Sequence, residues 1–164
     1  MITSDTICAQ ATAQGGAISV IRVSGQNAIE ITSRIFSKDI TKAKGYTLHY
    51  GHITDPQQEG ANIIDDVLVS VFRSPHSYTG EDSVELSCHA SSYIVSTVME
   101  LLYSAGARAA EPGEFTQRAF LNGKMDLAQA EAVADVIASQ NAAAHRIAFK
   151  QMKGGFSSEL RGMR

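Results

Sequence analysis

Tryptophan is absent from this sequence of 164 residues, cysteine occurs only as Cys8 and Cys88, and proline occurs three times. Two cysteines so far apart make no disulfide framework and no Cys-x-x-Cys pair, so reduced thiols in a cytoplasmic protein are expected. The start, Met1-Ile2-Thr3-Ser4-Asp5, has no basic stretch followed by an apolar one, and no run of apolar residues reaches membrane-spanning length. The expectation is a soluble, unexported chain with no membrane partner. Positive charge is also scarce: 14 Lys and Arg against 17 Asp and Glu give a formal net charge of −3. No global field draws in a polyanion, so any nucleic-acid contact must be supplied by a partner or a further segment. The phosphate-cradling pattern Gly-x-x-x-x-Gly-Lys-Ser/Thr is missing, which excludes nucleoside triphosphate hydrolysis by these residues alone.

Hydrophobic residues make up 44% of the chain and charged residues 19%, enough apolar content for one core with an appended element. Two β-prone runs, Thr6 to Thr12 and Ala17 to Val23, flank Ala13-Gln14-Gly15-Gly16 and read as an antiparallel hairpin. A helix follows Ser24-Gly25, with Ala28, Ile31, Ile35 and Phe36 as its sheet-facing stripe. Strands are expected over Thr47 to Ile53 and Ile64 to Phe72, joined by the turn-rich Asp55 to Gly60. Val67, Val69 and Val71 alternate with Leu68, Ser70 and Phe72, so both faces of that strand are expected to be covered. Another strand spans Ser83 to Cys88. A helix over Tyr93 to Ser104 turns Val95, Val98, Met99 and Leu102 inward and ends at Gly106. The fold class is thus α+β, a mixed and largely antiparallel sheet with packed helices, followed by the start of an all-α region.

The most prescriptive segment runs from Glu111 to Gln129. Pro112-Gly113 is turn chemistry, Asn122-Gly123 tolerates left-handed dihedrals after a short helix, and Asp126 with Gln129 forms a capping-box signature. Lys124 is held between these structural stops. From Asp126 a helix is expected through about Met152, with Ala128, Ala130, Ala132, Ala134 and Ala138 permitting close approach of a partner helix. A second helical stretch starts near Ser157 without a closing signal, which suggests a truncated chain. The basic ending of the chain, with Arg146, Lys150, Lys153, Arg161 and Arg164, reads as a solvated helix face.

Together with Ser77-Tyr78-Thr79-Gly80-Glu81-Asp82-Ser83-Val84-Glu85 and the opening Asp5-Thr6-Ile7, that segment resembles the N-terminal region of the MnmE (TrmE) family of tRNA-modification GTPases. The resemblance covers essentially the whole chain. It implies a folate-binding, aminomethyltransferase-like domain over residues 1–121 that also dimerises, and the beginning of a helical domain over 122–164. It further implies a reduced folate of the 5-formyltetrahydrofolate type as cofactor. The wider assembly would contain a homodimer, tRNA and the FAD-containing partner MnmG (GidA), and would install an aminomethyl-type group at carbon 5 of the wobble uridine. GTP, magnesium and potassium would belong to the GTPase domain, which is not in this sequence. The alternatives are a free-standing folate-dependent one-carbon transferase of aminomethyltransferase type, or a non-catalytic dimerisation scaffold.

Three positions carry the implied folate site. Arg22 shares a strand face with Ile18 and Val20, and a guanidinium on an apolar face needs an acceptor: either a structural ion pair with Glu85 or Asp82, or an anionic or carbonyl-bearing ligand. Glu85 lies opposite Val84 and Leu86; such a glutamate is solvated by default, yet a carboxylate suits the adjacent ring N–H and amino donors of a pterin. Lys124 is either an exposed lysine or the partner of a folate carboxylate or polar ring substituent. The loop from Ser77 to Asp82 fits either heterocycle stacking or a well-capped turn. Cys88-His89 points its side chains to opposite faces, and neither His49 nor His52 has supporting ligands, so no metal site and no catalytic residue are assigned. The sequence departs from relatives at Ala13 to Gly16, where a proline is frequent, and at Ala90-Ser91, where paired glycines are usual. The latter change is expected to narrow the pocket. The cysteine-bearing C-terminus that helps complete the folate site in relatives is also missing, which is expected to reduce affinity.

Overall fold

The computed structural model describes residues 5–12, 16–58, 60, 62–140 and 142. They form strands β1 (Ile7–Gln10), β2 (Ile18–Ser24), β3 (Thr47–Thr54), β4 (Ile63–Phe72), β5 (Ser83–His89) and β6 (Arg108–Ala109). The helices are α1 (Ala28–Ile35), α2 (Ser92–Ser104) and α3 (Glu114–Leu121), with a further helical run at 127–140. Two compact units divide between Met125 and Asp126, so Lys124 belongs with the sheet rather than with the segment after Leu121. The reason is local: the Gly123 and Lys124 N–H groups close back on the Phe120 and Ala119 carbonyls at 3.0 and 2.8 Å. None of the helices among the described residues is long and apolar enough to cross a membrane.

The six strands lie in the order β3-β4-β5-β2-β1-β6. All neighbours are antiparallel except β1 and β6, which pair in parallel. The expected hairpin is present as β1 and β2, although its turn at residues 13–15 lies outside the described residues. Residues 59 and 61 between β3 and β4 also lie outside them, as does the chain end with its basic residues; the helix expected from Asp126 is present over 127–140, and the rest of its expected course to Met152, residue 142 apart, lies outside the described residues.

One sheet face packs on α1 and α2. Its core includes Ile21 and Val23 of β2, Val67, Val69 and Val71 of β4, and Val84 and Leu86 of β5. Helix α1 buries Ala28, Ile31 and Ile35 of the stripe that the sequence predicts, with Ile29 and Thr32 buried beside them. It stops at Ile35; Phe36 turns extended and bridges to Ile53. Helix α2 sinks Val98 and Leu102 fully, with Val95 and Met99 half-buried against the same core.

The other face is largely open, which corrects two expectations. Leu68 is 44% exposed, so only the valine side of β4 is covered; Tyr50, in register beside it, and Leu48, beside Ser70, are 61% and 67% exposed. Arg22 does share the face of Ile18 and Val20, but that is this open face and not the apolar core, which takes Ser19, Ile21 and Val23. An arginine there is half solvated without needing burial. Strand β6 was not foreseen, because two residues carry no alternation to read.

Candidate functional site

Antiparallel register sets Arg22 directly across from Glu85. Both Arg22 Nε and Nη2 donate to Glu85 Oε1, at 3.2 and 3.1 Å, in a half-buried ion pair. The expected choice between Glu85 and Asp82 is resolved: Asp82 instead accepts from the Ser74 N–H at 2.8 Å and faces Arg73 at 3.7 Å. The Arg22 guanidinium also lies 4.8 Å from the Tyr78 ring centre and 5.3 Å from that of Phe115. Both aromatic faces attract the cation and limit its rotamers, so Arg22 in turn orients the carboxylate. Because both nitrogens converge on Oε1, Oε2 has no hydrogen-bond partner among the described residues.

A pocket of about 440 Å3 opens over this pair, lined by Arg22, Tyr46, Phe72, His76, Ser77, Tyr78, Ser83, Glu85 and Lys124. The three sequence-predicted residues thus meet in one cavity, although they come from β2, from β5 and from the turn after α3. That turn is clamped to the loop before β5: Asn122 Nδ2 donates to the Thr79 carbonyl at 2.9 Å, and Gly80 packs under it. A Cβ on Gly80 would stand 2.9 Å from Asn122 Cβ and 3.2 Å from Lys124 Cγ, and the backbone there has φ +81°. Only glycine admits both the approach and the dihedral. Tyr78 Oη and Thr116 Oγ1 share a hydrogen bond of 2.9 Å, tying the same loop to α3.

Beneath the pocket runs a buried polar network. Ser24 Oγ and Thr79 Oγ1 lie 2.6 Å apart, Ser83 Oγ donates to Ser24 Oγ at 3.1 Å, and Ser24 Oγ donates to Glu81 Oε1 at 3.0 Å. Glu81 accepts from Arg118 at both carboxylate oxygens, 3.2 and 3.1 Å, and Arg118 also donates to Asp5 Oδ1 at 2.7 Å and to the Asp5 carbonyl at 2.8 Å. Arg108 reaches Asp5 and Glu114 at 2.6 Å each. The Arg108 hydrogen bond is the main cause holding the Glu114 carboxyl below its ordinary value. The loop from Ser77 to Asp82 is therefore both a capped turn and a pocket wall.

Cys88 and His89 separate as expected: the thiol is buried, while His89 Nδ1 lies 2.8 Å from Asp65 Oδ1 on the exposed side. Burial pushes the Cys8 and Cys88 thiols up to about 11, with Asp65 adding to the effect on Cys88. Ala90 and Ser91 do not narrow the pocket. They follow the far end of β5, where the Ser91 hydroxyl caps α2 at the Ile94 N–H. The sequence points to Tyr78 in the loop from Ser77 to Asp82, but not to the other aromatic residues at the site. Phe72 could have been found from its alternation with Leu68 and Ser70 along β4, whereas Tyr46 of the pocket wall and Phe115 beside Arg22 carry no periodic signal.

The sequence profile described as "GTP-binding protein TrmE N-terminus" matches residues 6–124, a span that contains every pocket residue. This chain belongs to the TrmE N-terminus family. Similar curated proteins bear the name tRNA modification GTPase MnmE. That of Bacteroides thetaiotaomicron is 62% identical over 168 residues, covering 99% of this chain and 35% of the relative. That of Flavobacterium psychrophilum is 57% identical over 169 residues, covering 100% of this chain and 36% of the relative. The chain therefore spans about a third of the length of these TrmE relatives. The family match agrees with the α+β architecture and its mostly antiparallel sheet.

Proposed function

We propose that this chain is the folate-binding and dimerising part of a tRNA-modification GTPase. The observation that carries the reading is the meeting of Arg22, Glu85 and Lys124 around one cavity beside an aromatic wall. The donor set fits a reduced folate. Glu85 Oε2 would accept from the pterin ring, and a second pterin donor would have to share Oε1 with Arg22, whose ion pair fixes the plane of the carboxylate. The exposed Lys124 ammonium makes no ion pair among the described residues and would meet an acidic group on the folate tail. When bound, the folate supplies the one-carbon unit; the residues here bind and orient it, and none of them is assigned a catalytic step.

In the complete assembly this region would act with a FAD-containing MnmG-type partner and a GTPase domain on carbon 5 of a tRNA wobble uridine, in the cytoplasm. The family name and the relatives' printed names support the tRNA-modification and GTPase parts of that setting. Dimerisation is supported by the uncovered sheet face, where Leu48, Tyr50, Leu68 and Ile18 are each more than two-fifths exposed. A second copy of the same face would cover them, and isologous pairing is the commonest solution for such a surface.

Calorimetric titration with 5-formyltetrahydrofolate, run beside Glu85→Gln, tests the ligand reading. The substitution keeps the shape and removes the charge that holds both Arg22 and the pterin donors. Binding by the wild type that is lost in the variant is the expected result. A well-folded wild-type chain that gives no heat with any reduced folate would overturn the reading.

A further inference from the structure

Tyr46 is the one non-glycine residue with positive φ among the described residues, at 59°. In that left-handed region Cβ crowds the backbone, so turns place Gly, Asn or Asp there, and a bulky aromatic is an outlier. Core packing does not explain it, since the side chain is 73% exposed. Its recorded ring contacts are peripheral: Phe72 at 6.2 Å and nearly perpendicular, His76 at 6.1 Å and tilted by 39°. Yet the ring lines the pocket of Arg22, Glu85 and Lys124.

The surroundings over-determine this conformation. The Tyr46 N–H donates to the Val71 carbonyl at 2.8 Å. Just before it, Arg73 fastens the chain by donating from Nε to the Ala43 carbonyl at 3.0 Å and from Nη2 to the Thr41 and Ala43 carbonyls at 2.7 and 2.9 Å. Gly45 makes the approach possible, because a Cβ there would lie 3.3 Å from the Arg73 nitrogen. An unfavourable backbone angle held this firmly, with an aromatic ring delivered to solvent at a cavity, is the pattern of a ligand contact. Neither Phe72 nor His76 stacks in parallel on the ring, and at 73% exposure most of the Tyr46 surface is left open to a guest. Tyr78 and Phe115, around Arg22, supply aromatic surface elsewhere at the site.

We infer that Tyr46 closes over a flat heteroaromatic ring bound at Glu85 and is a specificity-determining contact of this pocket. The inference rests on the folate reading and deepens it, by assigning a stacking residue besides the three polar ones. It selects for ligands that join a planar ring to an acidic tail, against acidic tails alone.

Because the chain has no tryptophan, Tyr46→Trp places a single tryptophan, excited selectively over the remaining tyrosines, at the proposed contact. Its fluorescence should be quenched as 5-formyltetrahydrofolate saturates the site. Tyr46→Phe should keep wild-type affinity. Tyr46→Gly relieves the dihedral and should unfold at the same temperature as wild type or higher, yet bind at least about threefold more weakly, the scale of one aromatic stacking contact. Unchanged Tyr46→Gly affinity, or Tyr46→Trp emission that does not respond at saturation verified by calorimetry, would overturn the contact while leaving the folate site standing. Weaker binding by Tyr46→Gly that merely tracks a loss of dimer in light scattering would also overturn it. A wild-type chain that binds no reduced folate sinks both readings, and the Glu85→Gln titration tells the two failures apart.

Discussion

Replacing Arg118 by alanine should destabilise the first unit by about 3 kcal/mol, near the low end of what breaking a buried ion pair costs. The side chain is only 5% exposed, and its partners Glu81 and Glu114 are 14% and 12% exposed, which places these charges where water screens them poorly. Asp5 is 42% exposed, so its share is discounted. Loss of the guanidinium strips Glu81 of its charge partner and leaves it the Ser24 hydroxyl as its recorded side-chain donor. A hydrogen bond to a charged group contributes about 1.5–3 kcal/mol, and the remaining burial of Glu81 prevents water from replacing all of it. Arg118→Lys keeps the charge but not the planar fork, and should cost about half as much. Urea unfolding followed by circular dichroism would read these values, and the melting temperature of Arg118→Ala should fall by roughly 10 °C. Because Arg118 joins α3 to the loop carrying Tyr78, ligand affinity should fall with stability. The double variant Arg118→Met with Glu81→Gln, which removes both charges, should recover part of the loss. A cost below about 1 kcal/mol for Arg118→Ala, or additive losses in the double variant, would refute this account of the network.

Gly80→Ala should destabilise by roughly 1–3 kcal/mol, because it combines a left-handed dihedral with a 2.9 Å approach to Asn122. The displaced turn also carries Lys124, so folate affinity should drop in the same titration, and a neutral outcome in both would contradict the clamp. Cys8 and Cys88, held up at about 11 by burial, should be only about one part in a thousand thiolate at pH 8. An aromatic disulfide reagent should therefore react with neither until urea unfolds the chain, after which both react quickly. Rapid labelling of the folded protein would show that the core opens locally.

Much of the architecture was legible because it is written in local patterns. The Asp126 and Gln129 box is realised reciprocally, with Asp126 N–H donating to Gln129 Oε1 at 2.9 Å and Gln129 N–H to Asp126 Oδ1 at 2.7 Å. Gly113 and Gly123 adopt φ of +79° and +74° at the two ends of α3, as their turn chemistry requires. Strand limits moved by a few residues at most, since alternation fixes the middle of a strand better than its ends. Periodicity misled at β4, where an apolar Leu68 reads as buried whether or not anything covers it. A hydrophobic side chain states a preference, and only the placement of helices on one sheet face decides which preferences are met.

The sequence by itself determined the strands, the helix ends, the glycine hinges and the family, all of which depend on residues close together along the chain or on their order. Tertiary structure alone decided that Arg22 binds Glu85 across 63 positions and not Asp82, because register between β2 and β5 follows from how both strands bury their opposite faces. It decided also that Lys124 shares a cavity with them, through a glycine and an asparagine amide that carry no periodic signal. The strained Tyr46 at the mouth of that cavity is the extreme case: its identity is visible in the sequence, but its dihedral is imposed by Arg73 and Val71, which reach it only after the sheet has formed.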